Sequence, residues 1–168
     1  TASGQFPGAV AIIEHDGRIA FQNHYGHADS AGTRPMQADS IFRIYSMTKP
    51  VTSVAVLMLL EEGKLSLDDP LSRYLPEFAN RQVVVGGDVQ SPQAEATSRA
   101  ITLRHLLTHT SGFAAASDTH RVATKLLTAA DVDSATSLQD VAHRLAALPL
   151  ADAPGTHFHY EGSNTDLL

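Results

Sequence analysis

The sequence contains no cysteine, which excludes disulfides and thiolate metal sites and leaves the redox compartment open. It carries no excess of basic charge. Twelve Lys and Arg stand against 18 Asp and Glu, so the basic stripe of a nucleic-acid surface is absent and no nucleic-acid partner is expected. No run of about 18 uncharged apolar residues occurs, so no membrane span is encoded. The opening residues, TASGQFPGAVAII, lack the basic segment of an intact secretory leader, and a leader already removed would leave no trace. The expected protein is soluble, and cytoplasm and bacterial periplasm or secretion remain equally open. Neither an internal repeat nor a low-complexity linker is seen. What is present is 168 residues with 43% apolar side chains, enough for one ordinary domain with its own core.

Residues 8–27 read as a hairpin: GAVAIIEH, the turn pair Asp16-Gly17, then RIAFQNHYG. Residues 28–40 are polar and loop-like. From Thr48 to Glu62 almost every position is apolar or small. Pro50 is tolerated only in a helix's first turn, which sets the start near Met47, and Gly63 suits the position after the end. A helix apolar on nearly all sides has to be covered on nearly all sides. Pro70 and Pro76 break 65–78 into two short turns, with Asp68 and Asp69 as helix-start carboxylates. Residues 83–99 read as an exposed loop opening with a short strand. Residues 101–113 read as a short helix capped by Thr102 and ended by Gly112. Residues 114–136 are ambiguous, and 137–150 form an amphipathic helix with Ser137 and Asp140 at its start. A turn at Pro154-Gly155 leads into an alternating stretch and the beginning of another helix.

In RIYSMTKPVTSVAVLMLLEEGKL, residues 43–65, Ser46 and Lys49 stand three apart just before the apolar run. The plain reading is a helix cap followed by a solvated charge, and S-x-x-K alone matches by chance often. The chemical reading is a nucleophile and its base. Residues three apart share a helix face, a desolvated lysine favours its neutral amine, and a neutral amine can take a hydroxyl proton. The helix N-terminus favours the negative charge that develops, and nearby backbone N–H groups can hold an oxyanion. Tyr45 reads as packing. Among nine histidines, His105 and His109 are spaced i,i+4. No carboxylate lies between them as H-E-x-x-H requires, so no metal is expected. His157 and His159 alternate beside Tyr160, as cleft-lining or as exposed strand residues. Tyr160 taken alone reads as a half-buried strand residue.

Four stretches decide between these readings by resemblance: PGAVAII, FRIYSMTKPVTSVAVLMLLEEGKLSLDDPLSRYLPEF, ITLRHLLTHTSG and PGTHFHYEGSNTDLL. In this order they resemble the superfamily of class C β-lactamases, penicillin-binding DD-peptidases and family VIII-type esterases, over residues 7–168. The resemblance implies an α/β (α+β) β-lactamase/transpeptidase-like fold, an antiparallel sheet flanked by helices. It implies an acyl-enzyme route on an ester, amide or β-lactam carbonyl, with esterase ahead of β-lactamase and with no metal or organic cofactor. Ser46 would attack, Lys49 would help deprotonate it, and Tyr160 would share the base role and protonate the leaving group. His105 and His109 fall in the LRHLLTHTSG stretch, where such residues are structural. The usual Tyr-x-Asn asparagine is replaced here by Gly162. Asn164, two residues on, is the candidate to take over its substrate contact, and this departure argues somewhat against a typical β-lactamase or peptidase.

Members of this superfamily run to roughly twice this length and carry a third motif on a strand facing the serine. Residues 1–168 are therefore expected to be the N-terminal portion of a single catalytic domain. The sheet would have an open edge and the helix after Ser46 would lack cover. The expected partner is a C-terminal half from the same gene product. Without it, no appreciable catalysis and poor folding are expected. The rival readings are a non-hydrolysing penicillin-binding or sensor module acylated at Ser46, and an interaction domain that keeps the fold without the chemistry.

Overall fold

The structure, a computed structural model, describes residues 4–118 and 121–168. It contains two compact units, Thr1–Ile44 and Tyr45–Leu168. In the first, β1 (Gly8–His15) pairs antiparallel with β2 (Arg18–Gly26). Asp16 and Gly17 both take left-handed backbone angles, φ 50° and 70°, as a two-residue turn matched to strand twist requires. The register shifts between Ile13 and Glu14. The polar segment that follows is tied down by Asp29, whose carboxylate accepts from the Thr33 N–H at 2.8 Å and the Thr33 hydroxyl at 2.7 Å. Ile12, Ile13, Ile19, Phe21 and Tyr25 are exposed.

The second unit opens with a 3-10 turn, Tyr45–Met47, that runs into α1 (Thr48–Glu61). Pro50 lies in the first turn of α1, and Gly63 beyond its end is left-handed at φ 69°. The expected cover on nearly all sides is not supplied by the described residues of its own unit. Val56 alone in α1 is buried, while Val51, Val54, Leu57, Met58 and Leu59 are exposed. The core lies further along the chain. Leu71, Phe78, Ile101, Leu103, Leu106, Phe113, Ala142, Leu145, Leu150 and Leu167 form one buried cluster. Phe78 and Phe113 meet edge-on at 6.2 Å.

The expected short strand at the start of 83–99 is β3 (Gln82–Gly87), and the residues expected as exposed loop after it return as β4 (Pro92–Ala96) to form a second hairpin. Its turn is set by Asp88, whose carboxylate accepts from the N–H groups of Gln90 at 3.0 Å and Ser91 at 2.8 Å. β3 also binds Leu150 on both sides, Val84 N–H to Leu150 O at 2.9 Å and Leu150 N–H to Gln82 O at 2.8 Å. The helices after it are α2 (Leu103–Leu107), α3 (Val122–Ala129), α4 (Leu138–Ala146) and α5 (Ser163–Asp166). Thr102 caps α2 in a reciprocal box with His105. Ser137 caps α4, and the buried Arg81 guanidinium donates to the carbonyls of Leu145, Ala146 and Leu148 at its C-terminal end. No described helix is long and apolar enough to cross a membrane.

Candidate active site

Ser46 does not cap α1. The cap position belongs to Met47, which makes no side-chain capping bond. The Ser46 hydroxyl instead accepts a hydrogen bond from the Lys49 ammonium at 3.3 Å, along the shared face that a spacing of three provides. Ser46 is exposed and Lys49 is half-buried. The residue before the serine, Tyr45, is exposed and holds φ 46°. A left-handed non-glycine residue costs on the order of 1–3 kcal/mol and gathers at functional sites.

Tyr160 reaches the same place from the far end of the chain. Lys49 Nζ lies 4.9 Å from the centre of its ring. Hydrogen bonding to Ser46 first, and to Lys49 second, holds the phenol below its ordinary acidity value. The tyrosine is carried on an irregular segment, not on the expected alternating strand. That segment lies along the loop after α2. Gly155 N–H donates to Thr110 O at 2.7 Å and His159 N–H to His109 O at 2.9 Å. The loop makes this approach possible at Gly112, where φ is +89° and a Cβ would overlap the carbonyl of Asp152. His157 and His159 both face the Asp152 carboxylate, at 3.4 and 2.7 Å, and Arg121 grips the same carboxylate at 2.7 and 2.9 Å.

Asn164, the candidate for the substrate contact, is held in a set of hydrogen bonds within the protein. It is 1% exposed. Its carbonyl oxygen accepts from the Ser111 hydroxyl at 2.5 Å, and its amide nitrogen faces Glu161 O at 3.2 Å and His109 Nδ1 at 3.3 Å. Both amide hydrogens are thereby engaged inside the protein. Gly162 opens α5 with φ −62°, and a Cβ there would meet nothing within 4 Å. It lines a cleft of about 300 Å³ with Asp131, Asp133, Glu161 and Asp166, to which Ser46, Lys49 and Tyr160 do not contribute.

His109, assigned no chemistry from sequence, packs on Tyr160 with ring centres 4.8 Å apart. Gly112 was the expected helix stop, but α2 ends earlier, with His109 itself left-handed at φ 55°. The stretch LLTHTSG held the signal, while the residue's position depends on that backbone angle.

The sequence matches the β-lactamase family profile over residues 1–168. The chain belongs to the β-lactamase family. Esterase EstB from Burkholderia gladioli is 37% identical over 156 residues, which is 91% of this chain and 37% of that protein. Among solved structures, EstCE1, described as a hydrolase with promiscuous acyltransferase activity, superposes with a TM-score of 0.76 at 28% identity, covering 99% of this chain and 42% of that one. Simvastatin synthase (LovD) from Aspergillus terreus gives 0.73 at 29% identity, covering 99% and 42%. This β-lactamase-family chain has the α/β, β-lactamase/transpeptidase-like fold and spans less than half the length of these relatives.

Proposed function

We propose that this chain carries the nucleophile half of a serine hydrolase or acyltransferase that works through an acyl-enzyme. The observation that carries the reading is the contact of Lys49 Nζ with Ser46 Oγ at 3.3 Å beside an acidified Tyr160. The Ser46 oxygen attacks the carbonyl carbon of an ester, amide or lactam. Its proton passes to the Tyr160 phenolate, whose charge the Lys49 ammonium stabilises. Tyr160 then protonates the departing alcohol or amine, leaving an ester on Ser46. Water, or a second alcohol, attacks that ester and releases the acyl group. The esterase and acyltransferase names among the relatives favour an ester substrate over a β-lactam. Asn164 acts behind His109, and no cofactor enters any step.

The catalytic domain in this reading is completed by a C-terminal half of the same gene product, in keeping with the greater length of the relatives. The test is a fluorophosphonate probe on the native full-length protein, with steady-state rates on a p-nitrophenyl ester and a chromogenic cephalosporin. One adduct per chain, lost in Ser46→Ala, and turnover of the ester ahead of the cephalosporin are expected. No adduct on the full-length protein would sink the reading. A stable adduct without turnover would instead identify a penicillin-binding or sensor module.

A further inference from the structure

The side chain of His109 is built into a closed set of hydrogen bonds that fixes where its proton sits. Two groups approach Nδ1 at 3.3 Å, the backbone N–H of Glu161 and the side-chain amide nitrogen of Asn164. The first can only donate. The orientation of the second is set by its other contact, because the Glu161 carbonyl at 3.2 Å can only accept. The Ser111 hydroxyl locks the same amide from its oxygen side at 2.5 Å. Nδ1 therefore has to be an acceptor, and the neutral ring carries its proton on Nε2. We propose that His109 is a positioning residue for Tyr160, held by Glu161 and Asn164 as the neutral Nε2–H tautomer, the form in which its ring packs against the tyrosine. This rests on the assignment of Tyr160 as the proton-transferring group.

Protonation of His109 would undo the arrangement, because Nδ1–H would point at two N–H donors. The groups around the ring divide accordingly. Lys49 from α1 disfavours the charged ring, Glu161 favours it, Tyr160 and the edge of Phe158 pack on it, and the segment carrying the charged cluster of Asp152, Arg121 and His159 is joined to the His109 main-chain carbonyl by the His159 N–H. Burial is the largest influence and Lys49 the next, and both lower the basicity of His109.

The experiment uses the native full-length protein and the rate of fluorophosphonate labelling of Ser46 as a function of pH, together with the nitrogen resonances of the His109 ring. In the wild type, Nε2 is expected protonated and Nδ1 bare at neutral pH. Asn164→Asp keeps the shape and sets a carboxylate beside Nδ1, which favours a proton there, so the acid limb of the labelling profile moves up by about 1 pH unit or more. His109→Asn keeps an acceptor and tolerates the left-handed backbone but lacks the ring. Its labelling falls on the order of 10- to 100-fold, as expected of a displaced reactive group, and its profile loses the histidine step. A purely structural role would lower all rates in parallel across pH. Parallel profiles, or a proton found on Nδ1 in the wild type, overturn the proposal. If Asn164→Asp does not fold, the His109→Asn profile and the wild-type resonances decide. Failure of the wild type to label at all overturns the hydrolase reading and the role of His109 with it, whereas labelling with parallel profiles overturns the role of His109 alone.

Discussion

The phenol of Tyr160 is held acidic by the Ser46 hydroxyl and then by the Lys49 ammonium, both of which stabilise its anion. A reaction that needs this anion gains rate as pH rises through the lowered value and is slow below it. Lys49→Ala removes one of the two supports and is expected to move the alkaline rise of Ser46 labelling toward the ordinary tyrosine value of about 10. The rate at neutral pH then falls about tenfold for each pH unit by which the rise moves, because the phenolate fraction falls by that factor. A rise that stays in place in Lys49→Ala would mean that Lys49 does not set the acidity of the base. Ser46 and Lys49 were legible in the sequence because their relation is local, one helical spacing. Tyr160 was legible only by resemblance, because its partners lie at the opposite end of the chain. His109 was not legible, since its role depends on a left-handed φ and on hydrogen bonds from 161 and 164.

Among the elements, the tyrosine segment and the start of α3 are tied to one carboxylate. Burial pushes Asp152 up, but hydrogen bonds from Arg121 and His159 outweigh it and leave the carboxyl below its ordinary value. A carboxylate with a depressed value contributes stability above its unfolded value of about 3.9, and loses it as pH falls through the lower folded value. Asp152→Asn is therefore expected to lower stability by about 2 kcal/mol at neutral pH, the scale for hydrogen bonds to charged groups, with the difference from wild type closing in acid. Urea midpoints of the two full-length proteins at neutral and acidic pH test this, and a gap that persists unchanged in acid would refute it. The element pattern was readable where chemistry is local. Asp16-Gly17 announced its hairpin and Ser137 its helix. The strand at β3 was readable, but its partner was not, because β4, PQAEA, has no β-branched or aromatic residue and the turn is held by the Asp88 side chain. Helix α2 ran shorter than its apolar pattern because the chain turns at His109, ahead of the glycine.

For the whole molecule, the distribution of burial separates Ser46 and Lys49 from the core. The buried cluster from Leu71 to Leu167 is built without α1, which buries Val56 alone and leaves Val51 64% and Met58 56% exposed. Apolar burial is the main favourable term of folding, so a helix that buries one side chain is held weakly and opens before the rest. Ser46 and Lys49 sit at the start of that helix. The isolated 168 residues are thus expected to keep protected amides around Leu71, Ile101, Leu106 and Leu145 while the amides of α1 exchange rapidly. Exposed apolar faces on α1 and on the β1–β2 hairpin should bind a hydrophobic dye, and the melt should be broad rather than cooperative. Since the pair needs α1 ordered, the isolated chain should not react with the fluorophosphonate even where the full-length protein does. Hydrogen exchange and labelling of the two forms side by side make the comparison. Protected α1 amides and a cooperative melt in the isolated chain would mean that α1 is ordered without further cover, and the loss of reactivity would then have to come from a missing catalytic group.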